Sequence, residues 1–244
     1  MMEIALEVRN VFFQIDHRVI FQNLSFSLRR GEALLILGAS GSGKSLLLKI
    51  CAGLIIPEEG KVTLGGMDLA LVSKETLQDL RAKVGFVFQN SALISNMAIY
   101  DNVALPLRYH MKGNGEEVQA RVEEKMSLFG VHQDIYRSIP AQLSLEMHRR
   151  AALARAFILD PELLLLDQPT GGLESEKAQR LGRIIRDYQK KAGSSLLEVD
   201  SEWPSPGPPA DRVGVLEGGH IVAEGTVEEM KSYFEKLRSS GTLP

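Results

Sequence analysis

The sequence predicts an α/β fold with buried parallel strands, an antiparallel β portion and a helical subdomain. Three observations carry that prediction. Ala33-Leu34-Leu35-Ile36-Leu37 and Leu163-Leu164-Leu165-Leu166 are unbroken apolar runs, as expected of strands covered on both faces. A glycine-rich loop and then the helical pattern Ser45–Ala52 follow the first run. Between about 92 and 150 there are no strand runs, and the patterning is helical, notably over Glu116–Phe129 and Leu145–Ile158.

The remaining elements follow in order. Ile4–Val8 and Val11–Phe13 are short, β-branched and aromatic, and Phe21–Leu28 alternates with period two, which indicates a half-buried strand. Arg29-Arg30-Gly31-Glu32 turns the chain into the first apolar run. Lys61–Leu64 and Val84–Phe88 are further strand candidates. Ser175–Lys191 reads as a helix and Ser195–Val199 as another inner strand. Val213–Leu216 and His220–Ala223 form a candidate hairpin around Glu217-Gly218-Gly219, and Val227–Arg238 closes the chain as a helix. Trp203-Pro204-Ser205-Pro206-Gly207-Pro208-Pro209 holds four of the ten prolines and cannot be an α-helix.

Composition narrows the class. At 244 residues the chain has room for roughly one and a half domains. Apolar residues at 44% and charged residues at 24% match soluble globular proteins and exclude disordered or collagen-like chains. The 28 basic and 31 acidic residues give a net charge of −3, so no basic excess points to nucleic acid. The single cysteine, Cys51, suits a reducing compartment. Glu3 and Glu7 interrupt the place of a signal peptide, and no apolar stretch reaches the roughly 18 residues of a membrane span. A cytoplasmic protein, or the soluble subunit of something larger, is expected.

Gly38-Ala39-Ser40-Gly41-Ser42-Gly43-Lys44-Ser45 matches G-x-x-x-x-G-K-[ST] between a buried strand and a helix, the context that motif requires. Its glycines let backbone N–H groups converge on a phosphate, and the helix N-terminus adds positive potential. Lys44 would reach the β- and γ-phosphates, and Ser45 would hold Mg2+. Asp167, at the end of Leu163–Leu166, is a candidate second anchor for that ion. Taken alone it would more commonly be a helix cap or turn aspartate.

The order of motifs resembles the ATP-binding subunit of an ABC transporter over nearly the whole chain. Gly38–Ser45 resembles the Walker A loop, and Gln89 stands at the Q-loop position. Leu143-Ser144 followed by Arg150–Ala156 resembles the signature loop and its helix. Leu163–Asp167 with Pro169-Thr170 resembles Walker B, and Ala210-Asp211-Arg212-Val213 and Glu224-Gly225-Thr226 resemble the closing strands. Phe88–Leu93, Asp101–Leu107 and Arg149–Arg155 are similar to the ATPases of MCE-associated, Mla-type phospholipid-trafficking systems. The resemblance implies a P-loop NTPase fold with a RecA-like core. It implies one ABC domain over 1–244, a helical subdomain at 90–157, and a C-terminal helix and tail at 226–244. The ligands implied are ATP and Mg2+, with Ser45, Gln89 and Asp167 at the metal and Ser144 on the nucleotide of an opposing subunit. An integral-membrane permease and a second ATP-binding subunit are the implied partners, with no nucleic acid. Membrane association would run through the permease alone, peripherally at the inner membrane. The coupling surface would lie around Gln89–Pro106, where Met97, Ile99 and Tyr100 form either an apolar patch or core.

Several positions depart from the family pattern. Gln168 replaces the glutamate after the Walker B aspartate, and an amide cannot accept a proton from water. General-base catalysis is commonly worth about 10²–10⁴ in rate. Leu145 and Glu146 replace the signature glycines. A carboxylate about 4 Å from a phosphate charge, at an effective dielectric of about 20, would be repelled by about 4 kcal/mol. Alternatively, Glu146 swings into solvent at the helix N-terminus. Ser201 falls at the switch histidine, Glu174 replaces the D-loop aspartate, and Ile15, with Phe12, Phe13 and His17 nearby, replaces the aromatic that stacks on adenine.

Three functions are therefore open. One is a permease-coupled ATP-binding subunit with feeble or absent hydrolysis. Another is a structural or regulatory subunit that holds ATP as a static ligand, or does not bind it. The third is an ordinary ATPase using Glu174, Glu198, Asp200 or Glu202 as a replacement base.

Overall fold

A computed structural model describes residues 3–110, 115–203 and 210–239. Pro204–Pro209 of the proline-rich stretch lie outside the described residues. The chain divides into two compact units, one built from residues up to Leu71 and from Leu196 onward, the other from Val72–Ser195.

The first unit opens with two long antiparallel strands, β1 (Ile4–Ile15) and β2 (Arg18–Arg29). Asp16 and His17 join them, both at positive φ (48° and 62°), the geometry of a two-residue hairpin turn. The alternation of β2 is broken at Asn23 (φ 55°), where the register shifts, so Phe21 and Leu24 both face inward. β1 also pairs with β4 (Glu59–Leu64), which pairs with the short β5 (Met67–Asp68).

The unbroken apolar run is β3 (Ala33–Leu37), buried throughout. It lies between two parallel neighbours, β8 (Ser195–Asp200) and β9 (Arg212–Glu217). The expected hairpin closes through Gly218 and Gly219 into β10 (His220–Thr226). Asp211 ties this arrangement together: its carboxylate accepts Ala33 N at 2.9 Å while its own N–H donates to Ala33 O at 2.8 Å. The Arg212 guanidinium donates to Glu32 at 2.8 Å and pairs with Glu224. The helix after β3 is α1 (Lys44–Cys51), whose Leu47, Leu48, Ile50 and Cys51 are buried. The C-terminal α7 (Val227–Ser239) covers Leu35, Leu37 and Val213 with Met230, and Trp203 packs there with its ring 5.2 Å from Phe234.

The second unit is mostly helical. α2 (Lys74–Ala82) is absent from the sequence reading, although Ser73 caps it, accepting Thr76 N at 3.1 Å. β6 (Val84–Val87) pairs in parallel with β7 (Leu163–Asp167). α3 (Ile99–His110), α4 (Gly115–Leu128) and α5 (Leu145–Phe157) pack on one another through Val103, Leu107, Val122, Met126, Leu153 and Phe157. α6 (Ser175–Ala192) is a surface helix that buries Leu181 and Ile185 and ends at Gly193 in the left-handed conformation. Ile99 is fully buried and belongs to the core; Met97 and Tyr100 are half-buried, and Tyr100 stacks against Tyr136 at 5.9 Å. Among the described residues, no helix is long and apolar enough to cross a membrane.

Candidate functional site

The phosphate loop is built by steric necessity. Gly43 has φ +96°, and a Cβ there would come within 2.8 Å of Ile20 Cγ2 and 3.0 Å of the Phe21 ring. A Cβ on Gly38 would stand 2.7 Å from Leu216 O. Only hydrogen fits at either place. The loop is fixed by Gly38 N donating to Asp200 O at 3.2 Å and Ser42 N to Ala39 O at 3.1 Å. Lys44 is 5% exposed, and its ammonium donates to Gly38 O at 2.6 Å and Ala39 O at 2.9 Å. Gly43 caps α1 without any side-chain hydrogen bond. The first N–H groups of that helix therefore keep the anion-binding character of an uncapped terminus. The Ser42 hydroxyl is buried and has no hydrogen-bond partner. These features make a cradle for phosphate oxygens.

Acids stand beside the loop, next to Ser201 at the family's switch-histidine position. Asp200 accepts the N–H of Ser201 at 2.6 Å and of Glu202 at 3.4 Å, so its carboxylate caps the turn that follows β8. Burial raises its pKa, against those two bonds and the nearby Lys44 charge. Glu198, two residues earlier on the same strand face, is pushed up to about 8 by burial and by Asp200. Ser201 is half-buried.

In the second unit, Asp167 ends a fully buried strand and is itself 3% exposed. Gln168 follows in the left-handed region (φ 46°), and its carbonyl accepts Gly171 N at 3.0 Å. Sequence reading missed the part played by Arg149, which is 7% exposed. Its guanidinium donates to the carbonyl of Gln89 and, at 3.4 Å, to that of Gly171, and its charge lies near Asp167. One side chain thus pins the segments after β6 and β7. Arg155 donates to Ser91 O and Ala92 O at 2.7 and 2.8 Å, and the fully buried Asn102 amide grips Ile94, Met97 and Ala98. The stretches that carry the narrower resemblance are therefore a backbone, exposed at Gln89, and the side chains that hold it.

The glycine replacements find partners within their own unit, against the expectation that Glu146 turns into solvent. Ser144 caps α5, its hydroxyl accepting Met147 N at 3.3 Å, which leaves its own proton free to donate. Glu146 neither swings into solvent nor hangs free. Arg150 donates to one carboxylate oxygen from Nε (2.9 Å) and Nη2 (2.8 Å), and Lys177 reaches the other at 3.5 Å. Hydrogen bonding to Arg150 is the main cause of its lowered pKa. Lys177 also lies 3.5 Å from Glu174. Leu145 packs on the loop after β7, its Cδ2 3.0 Å from where a Cβ on Gly172 would be. Of the proposed replacement bases, Glu174 is exposed and paired, Glu198 is buried, and Asp200 is engaged with backbone.

A strand–glycine loop–helix with a buried lysine, and a buried strand ending in aspartate, are the parts of a P-loop nucleotide-binding protein. The chain belongs to the ABC transporter family, whose sequence model matches residues 21–171. It is 32% identical to the intermembrane phospholipid transport system ATP-binding protein MlaF of Escherichia coli over 227 residues, covering 93% of this chain and 84% of that protein. The MlaF of Haemophilus influenzae is likewise 32% identical, with 92% of this chain and 85% of that protein covered. A Mycobacterium leprae protein named as a ribonucleotide transport ATP-binding protein, mkl, is 34% identical; this chain spans 65% of its length, with 93% of this chain matched. Among solved structures, a bacterial ABC transporter cassette in dimeric form superposes with a TM-score of 0.85 at 28% identity, covering 91% of this chain and 98% of that one. The α/β fold of ABC type expected from the sequence is thereby shown.

Proposed function

We propose that this chain is the ATP-binding subunit of a lipid-directed ABC transporter of the MCE/Mla type, and that it binds ATP with Mg2+ but hydrolyses it weakly or not at all. The observation that carries the proposal is the phosphate loop, whose Gly38 and Gly43 admit no side chain and whose buried lysine donates to the loop carbonyls of Gly38 and Ala39. Gly38, Ala39, Ser40, Gly41, Ser42, Gly43, Lys44 and Ser45 would hold the triphosphate. The Ser45 hydroxyl, the Gln89 amide and the Asp167 carboxylate are hard oxygen donors, the kind Mg2+ takes. When bound, that ion would neutralise phosphate charge. Ser144, its proton available, would serve the nucleotide of a second ATP-binding subunit. The MlaF relatives, most of whose length this chain covers, support phospholipid as the cargo class.

Weak hydrolysis follows from Gln168 and Ser201. Gln168 can orient a water molecule but cannot take its proton, and Ser201 offers no imidazole. We further propose one ABC domain over 1–244 with a helical subdomain at 90–157 and a C-terminal helix and tail at 226–244. Attachment to the inner face of the membrane would run through an integral-membrane permease.

The test is calorimetry of MgATP binding beside phosphate release, on the purified chain and two variants. Wild type should bind, and Lys44→Ala should abolish binding. Gln168→Glu should raise phosphate release by about a hundredfold, the lower end of the general-base range, because Ser201 still replaces the histidine. Absence of binding by well-folded wild type, or brisk release from it, overturns the proposal. Binding without any turnover, unchanged in Gln168→Glu, would instead mark ATP as a static ligand.

A further inference from the structure

A carboxylate in the signature loop should oppose any approach of a triphosphate, yet Glu146 is not placed as a free charge. Arg150 occupies one oxygen and Lys177 the other. Arg150 has little freedom: its Nη1 donates to Phe129 O at 2.6 Å, and the same atom lies 3.0 Å from where a Cβ on Gly130 would stand. Lys177 is different. It projects from the first turn of α6, is 46% exposed, and divides its charge between Glu146 and Glu174. Its pKa is raised by those two carboxylates, Glu174 first. The two residues that replace glycine both turn toward the segment after β7, Leu145 onto Gly172 and Glu146 onto Lys177. The four charges Glu146, Arg150, Lys177 and Glu174 sum to zero.

We infer that Lys177 is a positioning residue that folds the Glu146 carboxylate back onto its own subunit, so that an acidic signature loop can still meet the triphosphate held by a second copy of this chain. The inference rests on the ATP-binding role proposed above. Without Lys177, the second oxygen of Glu146 loses its cation, and Glu146, Arg150 and Glu174 together carry a net charge of −1 at the mouth of α5. With Lys177 present, Ser144 and the α5 terminus are presented with that charge neutralised. The interaction is between partly exposed groups, so it is modest and salt-sensitive.

The experiment measures MgATP-dependent self-association of the purified full chain by sedimentation velocity at low ionic strength, with calorimetry of nucleotide binding in parallel. The variants are Lys177→Ala, Lys177→Arg, Glu146→Gly, and Glu146→Gly combined with Lys177→Ala. Wild type should associate when MgATP is added. Lys177→Ala should weaken that association about fivefold, the upper range for an exposed pair, while nucleotide affinity stays the same. Lys177→Arg should retain association, and the double variant should match Glu146→Gly alone, because Lys177 has nothing to hold once the carboxylate is gone. An equal loss from Lys177→Ala in both backgrounds shows a merely structural role and overturns the inference. So does an unchanged Lys177→Ala, or a wild type that binds ATP without associating. If wild type fails to bind ATP at all, calorimetry reports it directly, and the proposed function falls together with this inference.

Discussion

The phosphate loop and the signature loop both depend on glycine in this family, and here they part company. In the first, Gly38 and Gly43 are enclosed by Leu216 O, Ile20 and Phe21, so any Cβ collides with fixed neighbours. In the second, the glycine positions carry Leu145 and Glu146, and both side chains find contacts within the same unit. A glycine needed because its own fold surrounds it is not interchangeable with one needed only for what a partner brings. Replacing the first kind disrupts the unit itself. Replacing the second leaves the unit intact and changes only what it can meet.

Gly43→Ala tests that distinction most severely. Strain at φ +96° costs about 1–3 kcal/mol, and Ile20 and Phe21 must also shift. MgATP affinity should fall by about a hundredfold, two factor-of-ten steps of about 1.4 kcal/mol, as read by calorimetry. An unchanged affinity would remove the steric basis of the comparison.

A second contrast sets Glu198 against Glu146, because their environments push them in opposite directions. Glu198 is raised to about 8, so its contribution to stability is complete in the acid range, falls as pH rises above the ordinary carboxylate value, and is fully lost by about 8. Glu146 is lowered, so its contribution is present at neutral pH and is lost as pH falls into the acid range. Glu198→Gln should flatten the decline of a denaturation-against-pH profile between the ordinary carboxylate value and about 8, and leave the acid limb in place. Loss of the acid limb instead would mean the two carboxylates had been assigned the wrong roles.

The smallest effect is expected at Gly172, which has φ +77° and touches Leu145. Gly172→Ala should cost about 1–2 kcal/mol, the left-handed penalty for a residue with Cβ, measured by urea unfolding. Adding Leu145→Ala should recover only the part due to contact. Full recovery would show that the backbone conformation there imposes no strain.

Much of the fold was legible because its buried strands are unusually plain. Ala33–Leu37 and Leu163–Leu166 have no polar interruption, and their turns are marked by glycine. The phosphate loop was legible because its geometry demands particular residues at fixed spacing. α2 was not, since Lys74–Ala82 is short and mostly polar and buries only Leu80. Arg149 and Lys177 were not, for another reason. Arg149 acts on carbonyls distant in sequence, which any residue type supplies, and the Glu146 partner of Lys177 lies 31 positions away in the chain. The Glu146–Arg150 and Glu174–Lys177 pairs had a readable signal, the i,i+4 and i,i+3 spacing of opposite charges, but the Glu146–Lys177 contact that joins them had none.

Trp203 is the sole tryptophan of the chain, and its indole lies against Phe234 of the C-terminal helix just beyond the strand whose Asp200 carbonyl receives Gly38 N. The molecule thus carries its own optical probe: one emission spectrum, recorded without any dye or label, follows how firmly the last helix stays seated.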